Sequence, residues 1–107
     1  MRLLDAELLT EEADLEQRVE TIQASDLMSD VLTQGHSGAL LITGLVNAQA
    51  VRTAEVVDLV GVVFARGKRP AAETVALAGS SHIPLMATNL TVFEVCGRLY
   101  ANKNGKP

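Results

Sequence analysis

Three cations, Arg66, Lys68 and Arg69, crowd around Gly67 just ahead of Pro70. Proline is favoured in the first turn of a helix, and a helix N-terminus attracts anions through its free N–H groups and its dipole. These residue types describe an anion site, with cations for charge and a glycine that lets the backbone approach closely. A solvated basic turn with a glycine fitted for positive φ is the plain alternative. The spacing is not GxxxxGK[ST], which argues against a P-loop nucleoside triphosphatase. Neutral hydrogen-bonding groups occur in two other loops, Thr43-Gly44-Leu45-Val46-Asn47 and Thr88-Asn89-Leu90-Thr91. The candidate ligand residues are therefore Thr43, Gly44, Asn47, Arg66, Gly67, Lys68, Arg69, Thr88 and Asn89.

A catalytic constellation is absent from the sequence. His36 and His82 are the only histidines, and no HxxxH, HExxH or CxxC spacing occurs, so neither a metal nor another cofactor is expected. Ser80 and Ser81 lie beside His82 without the GxSxG frame of a nucleophile elbow. Asp26 and Asp30, four residues apart, read as a solvated pair on one helix face. Cys96 is the single cysteine. It excludes an intrachain disulfide, suits a reducing cytoplasm and reads as an inert thiol turned to the core. The expectation is a protein that is not an enzyme.

The elements that must position these loops are legible as apolar runs. Ala39–Thr43, Leu59–Ala65 and Ile83–Ala87 recur about every twenty residues with helical segments between them, the rhythm of βαβ units and a parallel sheet. Two shorter runs, Ala6–Leu9 and Val19–Gln23, are weaker strand candidates. Helices are expected over Asp26–Thr33, ending at Gly35, and over Asn47–Val57, with Asn47 as N-cap. A third helix should start at Pro70 and end at Gly79. In the fourth, Val92, Val95, Cys96 and Leu99 take the i, i+3, i+4, i+7 spacing of a buried face, and Thr91 with Glu94 has capping-box spacing. Parallel strands and right-handed crossovers gather the three loops on the carboxyl edge of the sheet, where ligands of such folds bind. Both histidines fall on the opposite edge.

Composition agrees. A chain of 107 residues, 48% apolar and only 3% aromatic, holds one aliphatic core, which favours a parallel sheet covered by helices. The formal net charge is −4. Acids concentrate at the start (Asp5, Glu7, Glu11, Glu12, Asp14, Glu16 and Glu20), which reads as a solvated surface. No basic stripe for nucleic acid is present, no apolar run spans a membrane and no signal segment opens the chain. A cytoplasmic location is expected.

From Ser25 onward the chain resembles the DRTGG domain in its short stand-alone form. The resemblance rests on Ser25-Asp26-Leu27-Met28-Ser29-Asp30-Val31, Gly38-Ala39-Leu40-Leu41-Ile42-Thr43, Val60 through Pro70, His82 through Thr88, and Thr91 through Tyr100, in that order. It implies a three-layer α/β fold like the N-terminal domain of HPr kinase/phosphorylase, with a mainly parallel sheet of four to five strands flanked by helices. It also implies a regulatory role, self-association as a homodimer and, for stand-alone members, an association with iron hydrogenase and other redox proteins. The name-giving Asp-Arg falls near Val46 and Asn47, and the Thr-Gly-Gly at Ala65-Arg66-Gly67, so the implied pocket is altered here.

The expected organisation is one domain over 1–101 with a flexible tail over 102–107. The expected function is a non-catalytic regulatory or sensory domain that binds a small anionic ligand, a nucleotide or phosphorylated metabolite, a partner protein, or both. The alternative is an accessory subunit of a redox enzyme system with no small ligand.

Overall fold

The computed structural model describes residues 4–10, 19 and 21–103. In chain order the elements are β1 (Glu7–Leu8), β2 (Thr21–Ala24), α1 (Met28–Gln34), β3 (Ala39–Thr43), α2 (Ala48–Val57), β4 (Gly61–Phe64), α3 (Ala72–Ser81), β5 (Leu85–Ala87) and α4 (Val92–Lys103). The strands form one sheet in the order β1-β5-β4-β3-β2. β2, β3, β4 and β5 are parallel, and β1 runs antiparallel to β5. This is the three-layer, mainly parallel α/β fold that the sequence predicts.

Strand residues alternate between two cores, as the period of two requires. Ala39, Leu41, Val62, Phe64 and Leu85 face one core, which Val31 of α1, Val51 of α2 and Ala78 of α3 complete. Leu40, Ile42, Val63 and Met86 face the other, closed by Val95 and Leu99 of α4 and by Leu4. β3, β4 and β5 are buried along their whole length, which explains why their sequences are continuous apolar runs.

The helices are distributed unevenly for a reason of handedness. The three crossovers β2–β3, β3–β4 and β4–β5 all step the same way along the sheet. Right-handed connections therefore place α1, α2 and α3 on one face. The chain leaving β5 has no further parallel strand to join, and α4 crosses to the opposite face over β3 and β2. The loops after β4 and β5 thus depart to opposite sides of the sheet. Both leave from the carboxyl edge, the position that ligands occupy in open parallel sheets.

Helix ends follow the sequence signals in part. Asn47 caps α2, its Oδ1 accepting the Gln49 N–H at 3.1 Å. Thr91 and Glu94 form the reciprocal capping box of α4, at 2.9 and 3.1 Å. α1 begins at Met28 rather than Asp26, which leaves Asp26 in the loop after β2. α3 begins two residues after Pro70 and passes Gly79, stopping where His82 turns left-handed at φ +58°. A histidine in that conformation carries no stop signal in a sequence, whereas Gly79 does. α4 continues to Lys103, so Asn102 and Lys103 belong to a helix. The rest of the expected tail and the acids Glu11, Glu12, Asp14, Glu16 and Glu20 lie outside the described residues. No helix among the described residues is long and apolar enough to cross a membrane.

Candidate functional site

Four loops meet at the carboxyl edge of the sheet. The loop after β4 is stitched to the loop after β5 by two backbone bonds, Arg66 N–H to Leu90 O and Gly67 N–H to Thr88 O, both 2.8 Å. Arg66 and Gly67 make them in consecutive left-handed conformations, φ +62° and +72°. Glycine adopts this geometry without strain, whereas an arginine does so at a cost of about 1 kcal/mol. The Arg66 side chain is exposed at this edge.

Gly44 makes room for that arginine. A Cβ on Gly44 would lie 2.5 Å from the Arg66 Nη2, so the guanidinium rests on bare backbone of the β3–α2 loop. The same glycine donates its N–H to Asp26 Oδ1 at 2.8 Å, and the Thr43 hydroxyl donates to that oxygen at 2.9 Å. These two donors, the Gly44 N–H first, hold the Asp26 carboxyl below its ordinary value, and Arg66 and Lys68 add a smaller pull in the same direction. Asp26 is thereby a site residue rather than one half of a solvated helical pair. The signal was present: it follows an expected strand, and a parallel sheet sends that strand's end to the same edge as the others.

The nine sequence-predicted residues divide by what their polar atoms already do. Thr43 is buried, its hydroxyl proton given to Asp26 and its oxygen accepting the Leu45 N–H at 3.1 Å. Thr88 is buried too, donating to Leu4 O at 2.6 Å and accepting from Leu90 N–H at 3.2 Å. Each hydroxyl has one proton, so these threonines shape loops and have no second proton for a ligand. Asn47 commits its Oδ1 to the α2 cap. Gly44 and Gly67 supply space; a Cβ on Gly67 would meet Asn89 Oδ1 at 2.9 Å.

The cations divide as well. Arg69 turns away to β1 and pairs with Glu7 at 2.5 Å. Each raises the other's preference for its charged form, so the Glu7 carboxyl lies below its usual range and the Arg69 guanidinium above. The small cavity beside it, about 160 Å³, is lined by Asp5 and Glu7 as well as Arg69 and Asn89. Asp5 in turn meets Arg98 at 3.4 Å. Those four charges cancel. Arg66 and Lys68, both exposed and neither hydrogen-bonded to a carboxylate among the described residues, act on Asp26, and these three side chains together carry one unit of positive charge.

The groups expected to be remote from the site are remote. His36 precedes β3 and His82 caps the end of α3, both at the amino edge. Among the described residues no group of three His, Cys, Asp or Glu side chains could hold a metal ion. Cys96 is half-buried against the α4 core, and burial pushes its thiol up, away from the reactive thiolate.

Comparison with known proteins rests on the fold. No family model matches the chain. No curated protein matches it. A solved structure does, with a TM-score of 0.68 at 15% identity over 86% of this chain: the CBS and DRTGG domains of the regulatory region of Clostridium perfringens pyrophosphatase, complexed with the activator diadenosine tetraphosphate. The fold is DRTGG-like. This chain spans 40% of the length of that one.

Proposed function

We propose that this chain is a regulatory domain without catalytic activity, which binds a small anionic ligand, a nucleotide or phosphorylated metabolite, at the carboxyl edge of the sheet beside Arg66 and Lys68. The observation that carries the reading is the charge balance there. Arg66 and Lys68 both act on Asp26, while Arg69 and Arg98 are matched by Glu7 and Asp5. An anion placed there meets two cations and one carboxylate already occupied by Gly44 and Thr43. The similar pyrophosphatase regulatory region was solved with a polyphosphate dinucleotide activator, which supports this ligand class.

The test is a thermal-shift screen with inorganic phosphate, nucleoside phosphates and diadenosine tetraphosphate. A ligand at a hundred times its Kd raises the midpoint by about 10 °C for a chain of this size. Arg66→Ala is expected to weaken binding about tenfold or more, the loss of one charge-assisted contact, and Lys68→Ala to lower it less. Arg69→Ala leaves binding nearly unchanged, because Arg69 serves Glu7. No shift from any of these probes, together with co-purification of a redox enzyme, replaces this reading with that of an accessory subunit. Turnover of a bound compound overturns the non-catalytic reading.

A further inference from the structure

We propose that Asp26 makes the site selective for phosphate esters with a hydroxyl on the carbon next to the phosphoester, the chemistry of a phosphorylated sugar or polyol. The inference rests on the anion site at Arg66 and Lys68 and names the class of ligand that this site takes.

The observation that carries it is the division of labour between the two carboxylate oxygens. Oδ1 accepts from the Gly44 N–H at 2.8 Å and from the Thr43 hydroxyl at 2.9 Å. Among the described residues no group donates to Oδ2. The two bonds on Oδ1 hold the carboxyl ionised, and the side chain is exposed. An ionised carboxylate accepts and cannot donate, so Oδ2 is satisfied only by a donor from solvent or from a ligand.

Gly44 fixes where that donor sits. Its N–H reaches Asp26, and the Arg66 guanidinium rests on its bare Cα, a Cβ there falling 2.5 Å from Nη2. A single residue thus separates acid from cation, which puts Oδ1 and Nη2 at most about 8 Å apart. No ion pair among the described residues joins them. Two charge-assisted hydrogen bonds of about 2.8 Å, one from the guanidinium to a phosphoryl oxygen and one from a hydroxyl to the carboxylate, take up most of that gap. A ligand that arches over Gly44 therefore carries its hydroxyl close to its phosphoryl group, on a neighbouring carbon.

The nearby acceptors are already engaged. The Thr43 and Thr88 oxygens accept the Leu45 and Leu90 N–H groups, and Asn47 Oδ1 accepts that of Gln49. Asn89 is exposed as well, but it lies against Gly67, on the loop after β5.

Charge gives a reason for an acid at this position. Holding Gly44 and Thr43 needs a single acceptor, which a neutral asparagine also supplies. A carboxylate beside an anion site repels the ligand, and Arg66 and Lys68 are near enough to act on it. A hydroxyl on the ligand offsets the repulsion with a charge-assisted hydrogen bond, whereas a phosphate ester without one meets the repulsion alone. Asp26 thereby favours hydroxylated esters and rejects bare ones.

Two probes of equal charge isolate the hydroxyl: ethyl phosphate and 2-hydroxyethyl phosphate. Each is titrated into the whole chain at about pH 8, where both are dianions, and followed by amide chemical shifts. In the unmodified chain the hydroxylated probe should bind about tenfold more tightly, the effect of one hydrogen bond to a charged group. Asp26→Asn should cut that ratio to about threefold or less, that of a neutral hydrogen bond, and should tighten ethyl phosphate because the repulsion is gone. Equal affinity for the two probes in the unmodified chain, with both weakened by Arg66→Ala, overturns the inference and leaves the anion site standing. A tenfold preference that survives Asp26→Asn also overturns it, by assigning the hydroxyl to another acceptor. Binding of neither probe removes the anion site itself, and the inference with it.

Discussion

Arg66 carries two roles that pull against each other. Its backbone is left-handed where it donates to Leu90 O, yet its side chain supplies charge at the carboxyl edge. Arg66→Gly should separate them. Relief of the strained φ is expected to hold or raise stability by up to about 1 kcal/mol in urea titrations. The same substitution should abolish the thermal shift from the anion, because the charge is gone. Loss of stability in that variant would mean that the guanidinium on Gly44 matters to the fold more than the backbone does.

Asp26 is the complementary case. Its carboxyl is held below the ordinary 3.8 by the Gly44 N–H and the Thr43 hydroxyl. A lowered folded-state value means that its stabilisation is fully present above 3.8 and is lost as the pH falls through the folded value. Asp26→Asn keeps an acceptor but not the charge. At about pH 7 it should destabilise the chain by about 1 kcal/mol, the low end for charged hydrogen bonds because Asp26 is exposed. At about pH 3 the difference from the unmodified chain should narrow. An equal difference at both values would exclude the charge as the cause.

At the scale of elements, α4 depends on its first turn. It is the only helix on its face of the sheet among the described residues, and the Thr91–Glu94 box satisfies two N–H groups that would otherwise lack partners. Thr91→Ala is expected to cost about 1 kcal/mol, read as a lower urea midpoint with an unchanged slope. Asp58 and His82 do the corresponding work at the ends of α2 and α3, both left-handed at φ +63° and +58°. The caps at helix starts were legible, because Asn47, Thr91 and Glu94 announce themselves by type and spacing. The end of α2 at Val57 was legible as well, whereas that of α3 was not, because Gly79 signals an earlier stop than the left-handed His82 that ends the helix.

For the molecule as a whole, one buried hydrogen bond ties the start of the chain to its last loop. Thr88 donates to Leu4 O across 84 positions, and Leu4 is fully buried in the α4 core. Thr88→Val keeps the shape and leaves Leu4 O and Leu90 N–H unsatisfied, at a cost of about 2 kcal/mol. The midpoint of thermal unfolding should fall by about 10 °C. A fall of only a degree or two would show that the opening segment docks through Leu4 packing alone.

Local pattern alone determined the aliphatic runs, the parallel sheet, the starts of α2 and α4 and the edge on which the loops gather. Those properties depend on residues close together in sequence, through the periods of strand and helix and the handedness of crossovers. Only the tertiary structure decided which polar groups at that edge are engaged. Thr43 meets Asp26 over 17 positions, Arg69 meets Glu7 over 62 and Thr88 meets Leu4 over 84. Residue types suited to bind a ligand are equally suited to bind each other. Which of the two occurs depends on distances that a linear spacing does not contain.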